Sequence, residues 1–195
     1  KPRLQRAHPR PCANARPSGG SELGRRFLGP EFGKVETSAR FATGSAVVSA
    51  LVLIYTPWPP DDWNELDIET LGADPSRFQF NTQVYTGPPT QAPVATPVSP
   101  TQAPHMETLG FDASLDFHEY AIEWTPAGAS FSVDSEVRYT WTENIALMSL
   151  PQNVLMTIWA SGSPGWAGPV TEQTTGATAV YDWVELWTYD ATSTL

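Results

Sequence analysis

The chain has 195 residues, enough for one domain with a sizeable core, and a formal net charge of −10. From residue 41 onward two basic residues face 18 acids, a net −16; a body this acidic repels phosphate backbones, which excludes nucleic acid as a partner. No run of about 20 apolar residues exists to span a membrane, and the scarcity of helix-favouring runs beside abundant Pro, Gly, Thr, Val and aromatics points to an all-β domain.

Residues 1–26 hold seven basic residues, paired glycines and almost no large apolar side chain. They read as a tail that buries too little surface to fold alone. Without an apolar h-region they are no secretory signal; a flexible tail, a processing remnant and a wrongly translated start all fit. The folded domain is expected over 27–195.

Strand signals begin at Phe32 and run to Phe41. After the turn at Gly44, the long apolar run Ala46–Tyr55 has the length and β-branched content of a buried central strand. Three prolines between Thr56 and Asp62 impose a loop. Trp63-Asn64-Glu65-Leu66-Asp67-Ile68-Glu69 then alternates acid with aliphatic. Strand side chains alternate faces, so Glu65, Asp67 and Glu69 share one face and Leu66 and Ile68 the other. The aliphatic face suits a core. The acidic face brings two glutamates, with Cα atoms roughly 13 Å apart at about 3.3 Å per residue, close enough for their side chains to lean together. Retaining glycosidases need two carboxyls about 5–5.5 Å apart, and crowded carboxylates keep one proton near neutral pH. The same alternation also suits an edge strand with a charged outer face.

Phe78–Tyr85 alternates again. Residues 88–104 contain six prolines and repeat Thr-Gln-Ala-Pro; the segment reads as extended and coreless, an interdomain linker or, preferably, a long mobile surface loop near one end of a cleft. Phe117–Trp124 and Ala129–Asp134 read as a hairpin around Pro126-Ala127-Gly128. Val137–Trp141, Val154–Trp159 and Ala179–Tyr189 complete the strands. Many short strands joined by turns indicate a two-sheet sandwich or jelly roll. Cys12 is single, so no intrachain disulfide forms. His8, His105 and His118 lack metal-ligand spacing, and His118 reads as a packed structural histidine.

In order, "FGKVETSARF…WNELDIETLG", "FQFN", "LGFDASLDFHEYAIEWTPAGASFSVD", "LMTIWASGSPGW" and "VYDWVELW" resemble glycoside hydrolase family 16, and within it the bacterial lichenases, over about residues 32–190. The resemblance implies a concanavalin A-like β-jelly-roll of two antiparallel sheets with an open cleft. It implies a retaining endo-β-glucanase for β-1,3-1,4-glucan or a related β-glucan, with Glu65 as nucleophile, Asp67 as its helper and Glu69 as acid/base. Trp63, Trp159 and Trp166 match cleft aromatics, whose faces suit the apolar faces of sugar rings. Gln79 and Asn81 match polar cleft residues, and Asp182 matches a residue that helps bind a structural calcium. No cofactor is needed for the chemistry. A β-glucan as partner, a monomer and an extracellular location are implied. Alternatives on the same scaffold are a glucan transglycosylase and a non-catalytic glucan-binding jelly roll. Trp124, Trp141, Trp183 and Trp187 are expected to fill the core. The chain departs from the family pattern at Ser38, Asn64, Thr70 and Thr157, and residues 1–31 carry no counterpart of its N-terminal strands.

Overall fold

The computed structural model describes residues 4–6, 21–26, 32–55, 63–85, 104–143 and 145–189. The expectations for the loop at 56–62 and for most of the proline-rich stretch at 88–104 fall outside the described residues.

The described residues form twelve strands in two antiparallel sheets. In chain order they are β1 (Leu4–Arg6), β2 (Ser21–Arg26), β3 (Gly33–Arg40), β4 (Val47–Ile54), β5 (Trp63–Leu71), β6 (Arg77–Tyr85), β7 (His105–Thr108), β8 (His118–Thr125), β9 (Gly128–Val133), β10 (Glu136–Trp141), β11 (Asn153–Ala160) and β12 (Val180–Tyr189). One sheet runs β1-β12-β3-β8-β9-β10 and the other β2-β11-β4-β5-β6-β7. This is the expected jelly-roll architecture. Among the described residues, no helix is long and apolar enough to cross a membrane.

The alternating sequence decides which residues enter the core. Leu51 and Leu53 of β4, Leu66 and Ile68 of β5 and Phe78 and Phe80 of β6 are fully buried, facing Val35, Tyr120, Ile122 and Phe131 of the other sheet. Each fully buried side chain of this size stabilises the fold by about 1.5–3 kcal/mol relative to exposure. Phe41, Phe78 and Tyr120 stack at 4.5–6.3 Å between ring centroids. β4 is central, hydrogen-bonded to β11 and β5, as its apolar run predicts. Tyr181, from the opposite sheet, places its hydroxyl 2.9 Å from the Ala50 carbonyl and 3.2 Å from that of Thr157, tying the layers behind the acidic strand.

Three elements depart from the sequence reading. β1 pairs with β12, and β2 pairs with β11 over six residues, both inside the stretch read as a tail. The edges of β11 and β12 present unpaired backbone groups that even a poorly apolar segment can satisfy, and composition carries no trace of that. The short β7 adds to β6 just beyond the prolines. It meets β10 through an Arg138–Glu107 ion pair and a His105–Tyr139 stack at 4.6 Å, closing one side of the sandwich.

Trp124 and Trp141 are buried in the core as expected. Trp183 and Trp187 are not in it. An irregularity at Asp182 resets the alternation, so Val184 and Leu186 face inward while Trp183 and Trp187 lie opposite Ser38 and Lys34 on the outer face. Ser38 therefore lies on the sheet that does not carry the acidic strand. His118 accepts its structural role: Nδ1 sits 2.7 Å from Asp134 and its ring stacks on Phe111 at 3.6 Å.

Candidate active site

β5 lies between β4 and β6, and register decides what surrounds its acids. Glu65, Asp67 and Glu69 stand opposite Ile54, Val52 and Ala50 on β4, and opposite Gln83, Asn81 and Gln79 on β6. Beyond β4, β11 adds Asn153, Leu155 and Thr157 in the same rows. The outer face of this sheet is thus an acidic line bordered on one side by aliphatic and small residues and on the other by amides. Thr157 lies in the row of Glu69 and Thr70 faces the core, so the first departure touches the site and the second does not. Asn64, also turned from the acids, accepts the Leu150 N–H through Oδ1 at 3.0 Å and anchors the loop that leads into β11.

Each acid has its own amide or indole partner. The Trp63 indole donates to Glu65 Oε2 at 2.8 Å, the Gln79 amide donates to Glu69 Oε2 at 2.8 Å, and Asn81 Nδ2 reaches Asp67 Oδ2 at 3.5 Å, the outer limit of such a bond. Asp67 Oδ1 is buried and has no partner among the described residues.

The clustering and burial raise all three proton affinities. Burial pushes Glu69 from 4.5 up to about 8, the charge of Glu65 adds to this, and the Gln79 bond opposes it. Burial pushes Glu65 to about 7 against the Trp63 bond. Asp67 is held well above its usual range by burial first and then by both glutamates. Groups so coupled titrate as a set. Each glutamate also accepts an N–H that favours its anion, from the Trp63 indole at Glu65 and from the Gln79 amide at Glu69.

At the Glu69 end, the segment after β11 folds over the sheet as a single helical turn, α1 (Pro164–Ala167), with proline in its first turn where no N–H is required. Trp166 packs on Val48, Leu71 and Ala167, lies 5.8 Å from the ring of Trp159 and donates to Gln79 Oε1 at 3.0 Å. Trp159 is 37 % exposed on the same face. The predicted Trp63, Gln79, Asn81, Trp159 and Trp166 therefore all gather around the triad. Gln83, opposite Glu65, was missed by the sequence reading, although the Gln79-Asn81-Gln83 alternation carries the signal.

Asp182 does not join them. It is exposed on β12, in the other sheet. Among the described residues no three His, Cys, Asp or Glu side chains gather as a metal would need. Calcium takes six to eight oxygens, so side chains alone do not build its shell there, and no chemistry below depends on a metal.

The site is thus a two-sheet jelly roll with three carboxyls on one strand face, bordered by amides and indoles. The profile of Glycosyl hydrolases family 16 matches residues 20–185, and the chain belongs to that family. It is 35 % identical over 159 residues to a Beta-glucanase of Brevibacillus brevis, covering 78 % of this chain and 54 % of that protein. The chain spans 54, 58 and 59 % of the length of three such beta-glucanases, and as little as 37 % of another. Among solved structures it resembles a β-1,3-1,4-glucanase (lichenase) from a mouse hindgut metagenome, with TM-score 0.68, 30 % identity, and 87 % of this chain and 70 % of that one covered. The Bacillus licheniformis β-glucanase shares the fold at TM-score 0.69 and 22 % identity, over 95 % of this chain and 91 % of that one.

Proposed function

We propose that this chain is a retaining endo-β-glucanase acting on mixed-linkage β-1,3-1,4-glucan or a related β-glucan. The observation that carries the reading is the geometry of one strand face: Glu65, Asp67 and Glu69 stand in line, with the Trp63 indole 2.8 Å from Glu65 and the Gln79 amide 2.8 Å from Glu69, and burial raises the proton affinity of both glutamates. The names of the relatives and the lichenase neighbour support the substrate class.

In the first step the Glu69 proton passes to the glycosidic oxygen as the bond from the anomeric carbon to that oxygen breaks. A Glu65 carboxylate oxygen forms the new bond to the anomeric carbon. In the second step Glu69, now a carboxylate, takes a proton from water, and the resulting hydroxide displaces Glu65. Asp67 stands between them with its proton affinity raised by burial and by both glutamates, and in its protonated form it donates an O–H to Glu65 as the charge there changes. Trp63, Trp159 and Trp166 offer aromatic planes to sugar rings, and Gln79 and Asn81 offer amides to their hydroxyls. Secretion and a monomeric state belong to the same proposal, as does Asp182 as one ligand of a structural calcium.

A reducing-sugar assay on barley β-glucan, laminarin, xyloglucan and chitin tests the reading. Release from barley glucan is expected. A folded protein that releases sugar from none of the four overturns it.

A further inference from the structure

The Gln79 amide touches two partners that constrain it differently. Its Nε2 lies 2.8 Å from Glu69 Oε2 and its Oε1 lies 3.0 Å from Trp166 Nε1. Amide oxygen and nitrogen are normally interchangeable by a flip. An indole N–H, however, only donates. It must meet the amide oxygen, which turns the NH2 toward Glu69. The flipped amide would set donor against donor at Trp166 and leave Glu69 Oε2 facing an acceptor.

Trp166 is itself held in place. Its ring packs on the fully buried Val48 and on Leu71. The segment around it is fastened to the turn before β4 by Ala46 N–H to Ala167 carbonyl at 2.7 Å, Ser161 N–H to Ala46 carbonyl at 2.7 Å, Ser45 hydroxyl to Pro169 carbonyl at 2.6 Å and Thr174 hydroxyl to Ser45 carbonyl at 2.6 Å. The chain from Val48 and Leu71 through Trp166 and Gln79 to Glu69 is thus continuous and directional.

We infer that Gln79 is a positioning residue for Glu69 and that Trp166 sets its orientation, so that one carboxyl oxygen is pinned by the amide and the other is left to carry the transferable proton. The inference rests on the reading of Glu69 as the acid/base. Among the described residues, the other titratable groups on this face near Glu69 are Asp67 and Glu65 on its own strand and Arg77, exposed two residues from Gln79 on the same face of β6; Glu22 of β2 holds the register position beyond Thr157, three strands away. β4 and β11 bring Ala50 and Thr157 to its row, and residues 161–168 contain no titratable side chain. Gln79 and Trp166 are therefore the neutral groups through which the segment after β11 reaches the acid.

The test reads Glu69 directly. Carboxyl carbon-13 NMR on glutamate-labelled protein, with the signal assigned by Glu69→Gln, follows its titration without any substrate. Gln79→Leu should raise the midpoint by about one pH unit, since a donor to the anion is lost. Trp166→Phe keeps most of the ring and loses only the N–H, so it should raise the midpoint in the same direction and by no more. The double variant should match Gln79→Leu alone. The basic limb of kcat/KM on glucan should move with the NMR midpoint, and the loss of rate should shrink on substrates whose leaving group needs no proton. Thermal melts establish which variants fold; Trp166→Phe alone suffices should Gln79→Leu fail. An unmoved midpoint in a folded single variant, or shifts that add in the double, overturns the relay. If the midpoints move as expected but wild-type protein releases sugar from no glucan, the functional reading fails and the relay stands. If wild type turns over glucan and the midpoints do not move, the relay alone fails.

Discussion

Glu69→Gln should make the protein less sensitive to rising pH, and the structure sets the size of the effect. In the folded chain Glu69 holds its proton to about 8, whereas in the unfolded chain it ionises near 4.5. Between those values unfolding releases a proton, so stability falls as pH rises. The contribution is fully present below 4.5 and is lost as pH climbs through about 8. Each pH unit in that window corresponds to about 1.4 kcal/mol per proton. Because Glu65 and Asp67 share the same protons, the effect assignable to Glu69 alone is on the order of 3 kcal/mol. For a domain of this size, about 1 kcal/mol moves Tm by roughly 2–4 °C. Glutamine keeps the shape and can turn its oxygen toward the Gln79 amide, so the packing is retained. Thermal unfolding by circular dichroism from pH 5 to 9 should therefore show a wild-type Tm that falls by about 6–12 °C more than that of Glu69→Gln. The comparison cancels the general repulsion of the acidic surface, which both proteins share. Equal slopes, or a wild type that gains stability relative to the variant as pH rises, would refute the argument that burial holds this carboxyl neutral.

Glu65→Ala should lose ordinary turnover and regain it with azide as the α-glycosyl azide, while Glu69→Ala should keep much of its first-step rate on dinitrophenyl glycosides and yield the β-glycosyl azide; the reverse stereochemistry would exchange the two roles. Gly168→Ala should lower stability by about 1–3 kcal/mol, since Gly168 has φ +87° and a Cβ there would sit 2.5 Å from the Ser45 hydroxyl oxygen; an unchanged melting curve would count against the anchoring of this segment. Replacing residues 88–104 with a short Gly-Asn turn should leave Tm within a few degrees, because six prolines deny the segment ladder donors; a large drop would show that it packs as structure. Millimolar calcium should raise Tm in wild type and not in Asp182→Asn; identical melts in calcium and chelator would remove calcium from this chain.

The period-two alternation of Glu65, Asp67 and Glu69 against Leu66 and Ile68 was sufficient to divide acidic face from core, because side-chain direction along one strand is a local property. The same logic exposed β4 as central and located the hairpin at Pro126-Ala127. Family-like segments in order then identified the jelly roll. What local pattern does not contain is partnership. Gln79 meets Glu69 only because β5 and β6 pair in one register, and a one-residue slip would turn the amide into the core. Trp166 reaches Gln79 across 87 positions of sequence. β1 and β2 exist because β12 and β11 have edges to fill, and an irregularity at Asp182 turned Trp183 and Trp187 outward. The acids themselves were determined by the sequence; their proton affinities were decided by the tertiary structure, because burial, a neighbouring anion and a correctly turned amide are properties of the assembled sheet.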